Sequence, residues 1–120
     1  SDGVLIKDNH IAAAGGIADG VKAARAAVPH VMKIEVETET LDEVQQALDA
    51  GADIIMLDNM STELMAQSVA LIAGKALTEA SGNMGEKDLF EVAETGVDYI
   101  SIGALTHSVK SLDISMKFKK

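Results

Sequence analysis

The 120-residue chain is 48% hydrophobic, has no cysteine and one proline, and sets 10 lysines and arginines against 19 acids, for a net charge of −9. That size fits one globular domain, and the acidic balance excludes nucleic acid or an anionic membrane as partner, because phosphate is held mainly by Lys and Arg and the chain has a single arginine, Arg25. Without cysteine there is no disulfide, thiolate zinc site or cysteine nucleophile; with no apolar run near the ~18 residues of a membrane span, and no signal-like pattern at Ser1-Asp2-Gly3, a cytoplasmic protein is expected.

Val4-Leu5-Ile6 opens a series of short apolar, β-branched runs. Ile17, Val21 and Ala24 then make a helical stripe that Pro29 ends. After a second run, Ile34 to Glu37, Thr40 and Glu43 form a capping-box pattern at the head of a helix carrying Leu41, Val44 and Leu48. Asp53 to Leu57 is the third run, and Met65, Val69 and Ile72 repeat the helical stripe. Ala76 to Ala80 and Asp98 to Ile102 follow. Each run predicts a strand buried on both faces, and the starts at 34, 53, 76 and 98 lie 19, 23 and 22 residues apart, the length of one strand-plus-helix unit of a parallel sheet.

Gly51, Gly74 and Gly96 each stand just before a strand, where a helix commonly ends in a left-handed residue. Gly51-Ala-Asp-Ile-Ile-Met is echoed by Gly96-Val-Asp-Tyr-Ile-Ser two units later. The tail from Asp113 reads as a final short strand whose lysines solubilise a chain end, and the six methionines read as core filler. The fold class expected is α/β, a parallel β/α barrel of the TIM type. A complete barrel takes about 250 residues, so residues 1–120 are expected to form an incomplete barrel, the C-terminal portion of such a domain without its first strands.

In parallel α/β proteins ligands lie beyond the carboxyl ends of the strands. Those ends are polar here: Lys7-Asp8-Asn9-His10, Glu35-Val36-Glu37, Asp58-Asn59, Glu79-Ala80-Ser81-Gly82-Asn83 and Gly103-Ala104-Leu105-Thr106-His107. Ser81-Gly82 and Gly103-Ala104 each follow a strand and are expected to precede a helix, the arrangement of a barrel phosphate site; the plainer reading is two tight turns. Glu37 and Asp58 end adjacent strands, where paired carboxylates can bind magnesium or offset positive charge on a substrate. Glu35 shares a face with Glu37 by alternation, so one of the two could be a solvated strand-end charge, and Glu37 is favoured as nearer the carboxyl end. Lys7 suits a diphosphate or carboxylate oxygen, or else pairs with Asp8. His10 and His107 could carry protons or donate to phosphate, or be structural; His30, beside Pro29, reads as a surface residue.

Taken in order, Leu5-Ile-Lys-Asp-Asn-His10, Glu35-Val-Glu37, Ile55-Met-Leu-Asp-Asn59, Glu79-Ala-Ser-Gly82 and Gly96-Val-Asp-Tyr-Ile-Ser-Ile-Gly-Ala-Leu-Thr-His107 resemble the quinolinate phosphoribosyltransferases, nearly end to end and through Leu112-Asp113-Ile114-Ser115. The resemblance implies a step of NAD synthesis: quinolinate and phosphoribosyl diphosphate give nicotinate mononucleotide, diphosphate and carbon dioxide, with magnesium (Mg2+). It implies that Lys7 contacts substrate and that Glu37 and Asp58 lie at the ribose and metal, with His10, Asn59 and Glu79 among the substrate-binding residues. It also implies that Ser81, Gly82 and Gly103 cradle the 5-phosphate, with Asn83 in the same loop, Ala104 extending the cradle and His107 beside it.

Asn83-Met84 stands where many members have Gly followed by Ile or Thr. The family's amino-terminal domain, opening barrel strands and the arginine-containing motifs that grip the quinolinate carboxylates have no counterpart here, so the chain alone is expected to be inactive and to carry the phosphoribosyl half of a site. A homo-oligomer, dimer or higher, is expected from open strand edges. Two other functions fit the same strand ends: a non-catalytic half-barrel that binds a phosphorylated metabolite, and a different phosphate-binding barrel enzyme.

Overall fold

In a computed structural model that describes residues 3–7, 15–84 and 88–112, strand and helix alternate along the chain. The strands are β1 (Gly3–Ile6), β2 (Lys33–Thr38), β3 (Ile54–Asp58), β4 (Leu77–Ser81), β5 (Tyr99–Ile102) and β6 (Leu105–Ser108). The helices are α1 (Ile17–Ala27), α2 (Leu41–Asp49), α3 (Thr62–Ile72) and α4 (Leu89–Glu94), with a 3₁₀ turn at Val109–Ser111. The six strands form one sheet in chain order, β1 to β5 parallel and β6 antiparallel to β5. A sheet whose order never reverses, with each helix returning to the same face, is built like a barrel wall rather than a doubly wound sheet.

The local reasons for these elements are legible. Thr40 Oγ1 accepts from the Glu43 amide at 3.1 Å, and Glu43 Oε1 accepts from the Glu39 amide at 2.7 Å, so α2 begins at a reciprocal cap. Ser61 Oγ caps α3 through the Leu64 amide. Helix α1 stops at Ala27, two residues before Pro29.

One face of the sheet carries the core. Ile34, Val36, Ile55, Leu57, Ala80 and Ile100 are fully buried and pack with Ile17 and Val21 of α1, Val44 and Ala47 of α2, Met65 and Ile72 of α3 and Val92 of α4. Alternation puts the neighbouring residues on the other, inner face: Leu5 pairs with Glu35, Glu35 with Ile54, Glu37 with Met56, Met56 with Glu79, Asp58 with Ser81 and Glu79 with Tyr99. The expected burial on both faces therefore holds for the middle of β3 and for Thr78–Ala80, but not for β2, whose Glu35 and Glu37 are half-buried because no helix covers the inner face there.

The echo found in the sequence is a structural repeat. Asp53 Oδ2 accepts from the Ile34 amide at 2.8 Å, and Asp98 Oδ2 accepts from the Thr78 amide at 2.9 Å. Each aspartate, just after a glycine-led turn, thus ties the start of the preceding strand to its own. Gly51 and Gly96, at φ 81° and 95°, make those turns in a region that side chains with a Cβ rarely enter. Arg25 is absorbed here: its Nη2 lies 2.9 Å from Asp53 Oδ2 and 2.9 Å from the Gly51 carbonyl.

Candidate phosphoribosyl site at the carboxyl ends of the strands

The strand register brings several of the singled-out residues to one face. Glu37 and Asp58 lie on the inner face of adjacent strands, and Asp58 is level with Ser81 on the next strand. Lys7, one residue beyond β1, continues the Leu5 face and is exposed. His10 lies outside the described residues, as does the tail from Asp113. Among the described residues no three acids or histidines converge into a metal cage. A cavity of about 530 Å³ lies elsewhere, at the amino-terminal end of β4 and β5 between Leu77, Tyr99, Ser108 and Lys110.

Two sequence expectations are corrected at the final strands. Gly103-Ala104 does not precede a helix but forms the two-residue turn of the β5–β6 hairpin, with Ile102 opposite Leu105. Gly103 takes φ 61° and Ala104 has no positive φ, the pattern of a turn with glycine at its first central position, whose twist suits paired strands. His107 pairs with Ile100 and so shares the helix-side face, not the inner face that carries the carboxylates. Directly after Ser81-Gly82-Asn83, Met84 stands in a 3₁₀ turn, residues 85–87 lie outside the described residues, and the six-residue α4 begins at Leu89, capped by Asp88.

Glu79 is the most deeply buried acid of the inner face, at 7% exposure, and accepts a short hydrogen bond from Ser101 Oγ. Ser101 Oγ also lies 3.0 Å from Thr106 Oγ1, which ties the hairpin to β4. Beside Glu79 stands Glu35. Burial, a hydrogen bond to Glu79 and repulsion from Glu79 and Glu37 push the Glu35 carboxyl up to about 8. Its Oε2 is buried without a hydrogen-bond partner among the described residues.

The sequence reading passed over Glu35 in favour of Glu37. Alternation places both on one face; the register sets Glu37, not Glu35, level with Glu79 across Met56, and it is the hydrogen bond of Glu35 to Glu79 that distinguishes the two. Because the folded carboxyl holds its proton to higher pH than the unfolded one, it contributes stability that is fully present below about pH 4.5 and is lost as pH rises through about 8. We expect the unfolding free energy of the chain to fall by on the order of 1–2 kcal/mol from pH 5 to pH 9, after allowance for solvent screening. Glu35→Gln is expected to flatten that slope and raise stability at pH 8; an unchanged slope would contradict the raised Glu35 carboxyl.

Residues 1–117 match the family described as quinolinate phosphoribosyl transferase, C-terminal domain. The chain belongs to that family. It is 50% identical over 115 residues to a probable nicotinate-nucleotide pyrophosphorylase (carboxylating) of Bacillus subtilis, covering 96% of this chain and 40% of that protein. Against the chloroplastic pyrophosphorylase of Arabidopsis thaliana it is 45% identical over 134 residues, covering 97% of this chain and 38% of the relative. The solved nicotinate-nucleotide pyrophosphorylase of Francisella tularensis superposes with a TM-score of 0.80 at 47% identity, over 86% of this chain and 36% of that one.

A thiamine phosphate pyrophosphorylase from Pyrococcus furiosus, 22% identical with a TM-score of 0.69, shares the fold alone. The chain thus spans about two fifths of the length of the family relatives it matches. The structural likeness to these enzymes makes the six-stranded sheet part of a TIM-like barrel. No helix among the described residues is long and apolar enough to cross a membrane.

Proposed function

We propose that this chain is the phosphoribosyl-binding part of a quinolinate phosphoribosyltransferase, which joins quinolinate to phosphoribosyl diphosphate and releases diphosphate and carbon dioxide. The observation that carries the reading is the shared inner face of Glu37, Asp58 and Ser81 at the carboxyl ends of three adjacent strands, in a chain of this family. In the reaction the pyridine nitrogen bonds to the ribosyl C1 as the C1–O bond to diphosphate breaks. The bond from the ring to its 2-carboxylate then breaks, carbon dioxide leaves and a proton takes its place.

Positive charge develops at the ribosyl centre as the diphosphate departs. Glu37 and Asp58, fixed on neighbouring strands, are suited to stabilise it without reorganising. Lys7 supplies positive charge for an anionic oxygen of substrate. Ser81, Gly82 and Asn83 on one loop, and Gly103 and Ala104 on the hairpin, offer the backbone and hydroxyl donors for the 5-phosphate. Asn59, Glu79 and His10 complete the substrate-binding set implied by the family, whereas His107, which the family puts beside the 5-phosphate, turns to the helix side here.

Magnesium fits the donor set in one way only. Glu37, Asp58 and Glu79 set acids on the face proposed to receive a diphosphate, which favours a cation between them, and two carboxylates with substrate oxygens and water are a usual magnesium environment. Glu37 and Asp58 would hold the ion, which when bound neutralises charge on the leaving diphosphate. The unpaired edge of β1 among the described residues and the partly exposed inner face favour association with further barrel strands and with a second copy, in the cytoplasm.

The test is formation of nicotinate mononucleotide from quinolinate, phosphoribosyl diphosphate and magnesium. We expect none from the 120-residue chain alone, and turnover from a longer chain that adds the remaining barrel strands of the family. A longer chain that binds both substrates yet makes no product would overturn the reading.

A further inference from the structure

The loops that follow β3 and β4 touch through their backbones. The Asn59 amide donates to the Ser81 carbonyl at 2.8 Å, and Asn59 itself sits at φ 54°, an uncommon position for a residue with a side chain. Gly82, at φ 122°, lies directly against it: a Cβ added to Gly82 would stand 2.8 Å from both the nitrogen and the Cα of Asn59, and 3.2 Å from its Cβ. The two nearer atoms are backbone of a residue hydrogen-bonded to Ser81 and have no flexible end that could give way. Asp58 is the neighbour of one contact residue and Ser81 of the other.

The geometry points to Gly82 as a positioning residue for Asp58: its missing side chain lets the two loops lock, and the lock holds the Asp58 carboxylate at a fixed place relative to the loop that receives the 5-phosphate. This deepens the function proposed above and rests on it. A ligand that bears a phosphate at one end and a diphosphate at the other has a fixed span, and groups that meet both ends need a fixed separation. In this fold the separation is set by backbone contact between neighbouring loops.

The inference separates two roles for Gly82. If the glycine only admits the 5-phosphate, a ligand without that phosphate is indifferent to it. If it positions Asp58, inorganic diphosphate with magnesium is held less well by Gly82→Ala. We expect calorimetric titration of the chain with magnesium and inorganic diphosphate to show about tenfold weaker binding for Gly82→Ala, and the loss to vanish in the Asp58→Asn background, where there is no carboxylate left to misplace.

Equal binding by wild type and Gly82→Ala, or losses from the two substitutions that simply multiply, would overturn the inference. Should the wild-type chain not bind magnesium diphosphate, the functional reading fails separately. The Asp58 carboxyl carbon resonance then decides: a shift in Gly82→Ala with the circular dichroism retained supports the lock, and an unmoved resonance overturns it. If Gly82→Ala does not fold, an ester in place of the Asn59 amide removes its bond to the Ser81 carbonyl without crowding the loops, and the same resonance shift is expected; an unmoved resonance overturns the lock.

Discussion

Asp58→Ala, made in a chain that carries the complete barrel, is expected to lower turnover to nicotinate mononucleotide by about 100-fold or more, the usual cost of removing a placed electrostatic group. The reasoning is positional. Asp58 ends β3 on the inner face, level with Ser81 of β4 and on the strand next to that of Glu37, so under the proposed function its carboxylate lies between the loop assigned to the 5-phosphate and Glu37. Removing it takes away charge at the ribosyl centre without disturbing the core, because the neighbouring Leu57 faces the helices and keeps its packing. The loss should appear mainly in kcat, since the charge it offsets exists mainly in the transition state. Lys7→Ala is expected to raise KM as well, because the lysine would meet anionic substrate in the ground state. Near-normal turnover in both variants would remove the role assignment.

Asp98→Ala should be the most destabilising polar substitution outside the site, by about 2–3 kcal/mol in urea unfolding. Asp98 Oδ2 accepts from both the amide and the Oγ1 of Thr78, at 2.9 and 3.1 Å, and the Asp98 amide returns a bond to Thr78 Oγ1 at 3.0 Å. Thr78 is buried, so truncation strands a donor pair away from water. Asp53→Ala removes the equivalent clamp on Ile34 and the Arg25 pair, but that pair is half-exposed and adds little. We therefore expect Asp53→Ala to cost somewhat less than Asp98→Ala, and Arg25→Ala to cost under about 1 kcal/mol. Asp98→Asn, which keeps an acceptor oxygen, should recover much of the loss. A cost for Asp98→Ala no larger than that for Arg25→Ala would show that the repeated aspartates are not clamps.

The serial strand and helix order was legible because short β-branched runs recur at the spacing of one strand-plus-helix unit: strands expected to start at 34, 53, 76 and 98 begin at Lys33, Ile54, Leu77 and Tyr99. The caps at Thr40 and the end of α1 before Pro29 were equally local signals. Strand β6 was not found. Its alternation, Leu105-Thr-His-Ser108, lacks a buried apolar face, and Gly103-Ala104 had been read as a phosphate loop before a helix. A two-residue linker beginning with glycine between Ile102 and Leu105 was the signal available for a hairpin.

The site was legible to the level of which strand ends are polar. What the sequence could not supply was which side chains meet: that Asp58 is level with Ser81 and that His107 turns to the helix side follow from strand pairing, and that Glu35 meets Glu79 follows from side chains reaching across β3. The backbone contact of Gly82 with Asn59 has no sequence signature at all, since neither the glycine nor the asparagine is unusual in a loop.

The central claim is that these 120 residues hold the phosphoribosyl half of the site and not the quinolinate half. Calorimetry of the chain with each substrate tests it most directly. The account predicts binding of phosphoribosyl diphosphate that depends on magnesium and is weakened by Asp58→Asn, with no binding of quinolinate alone; quinolinate binding in the absence of phosphoribosyl diphosphate, or none of phosphoribosyl diphosphate by the folded chain, would contradict it.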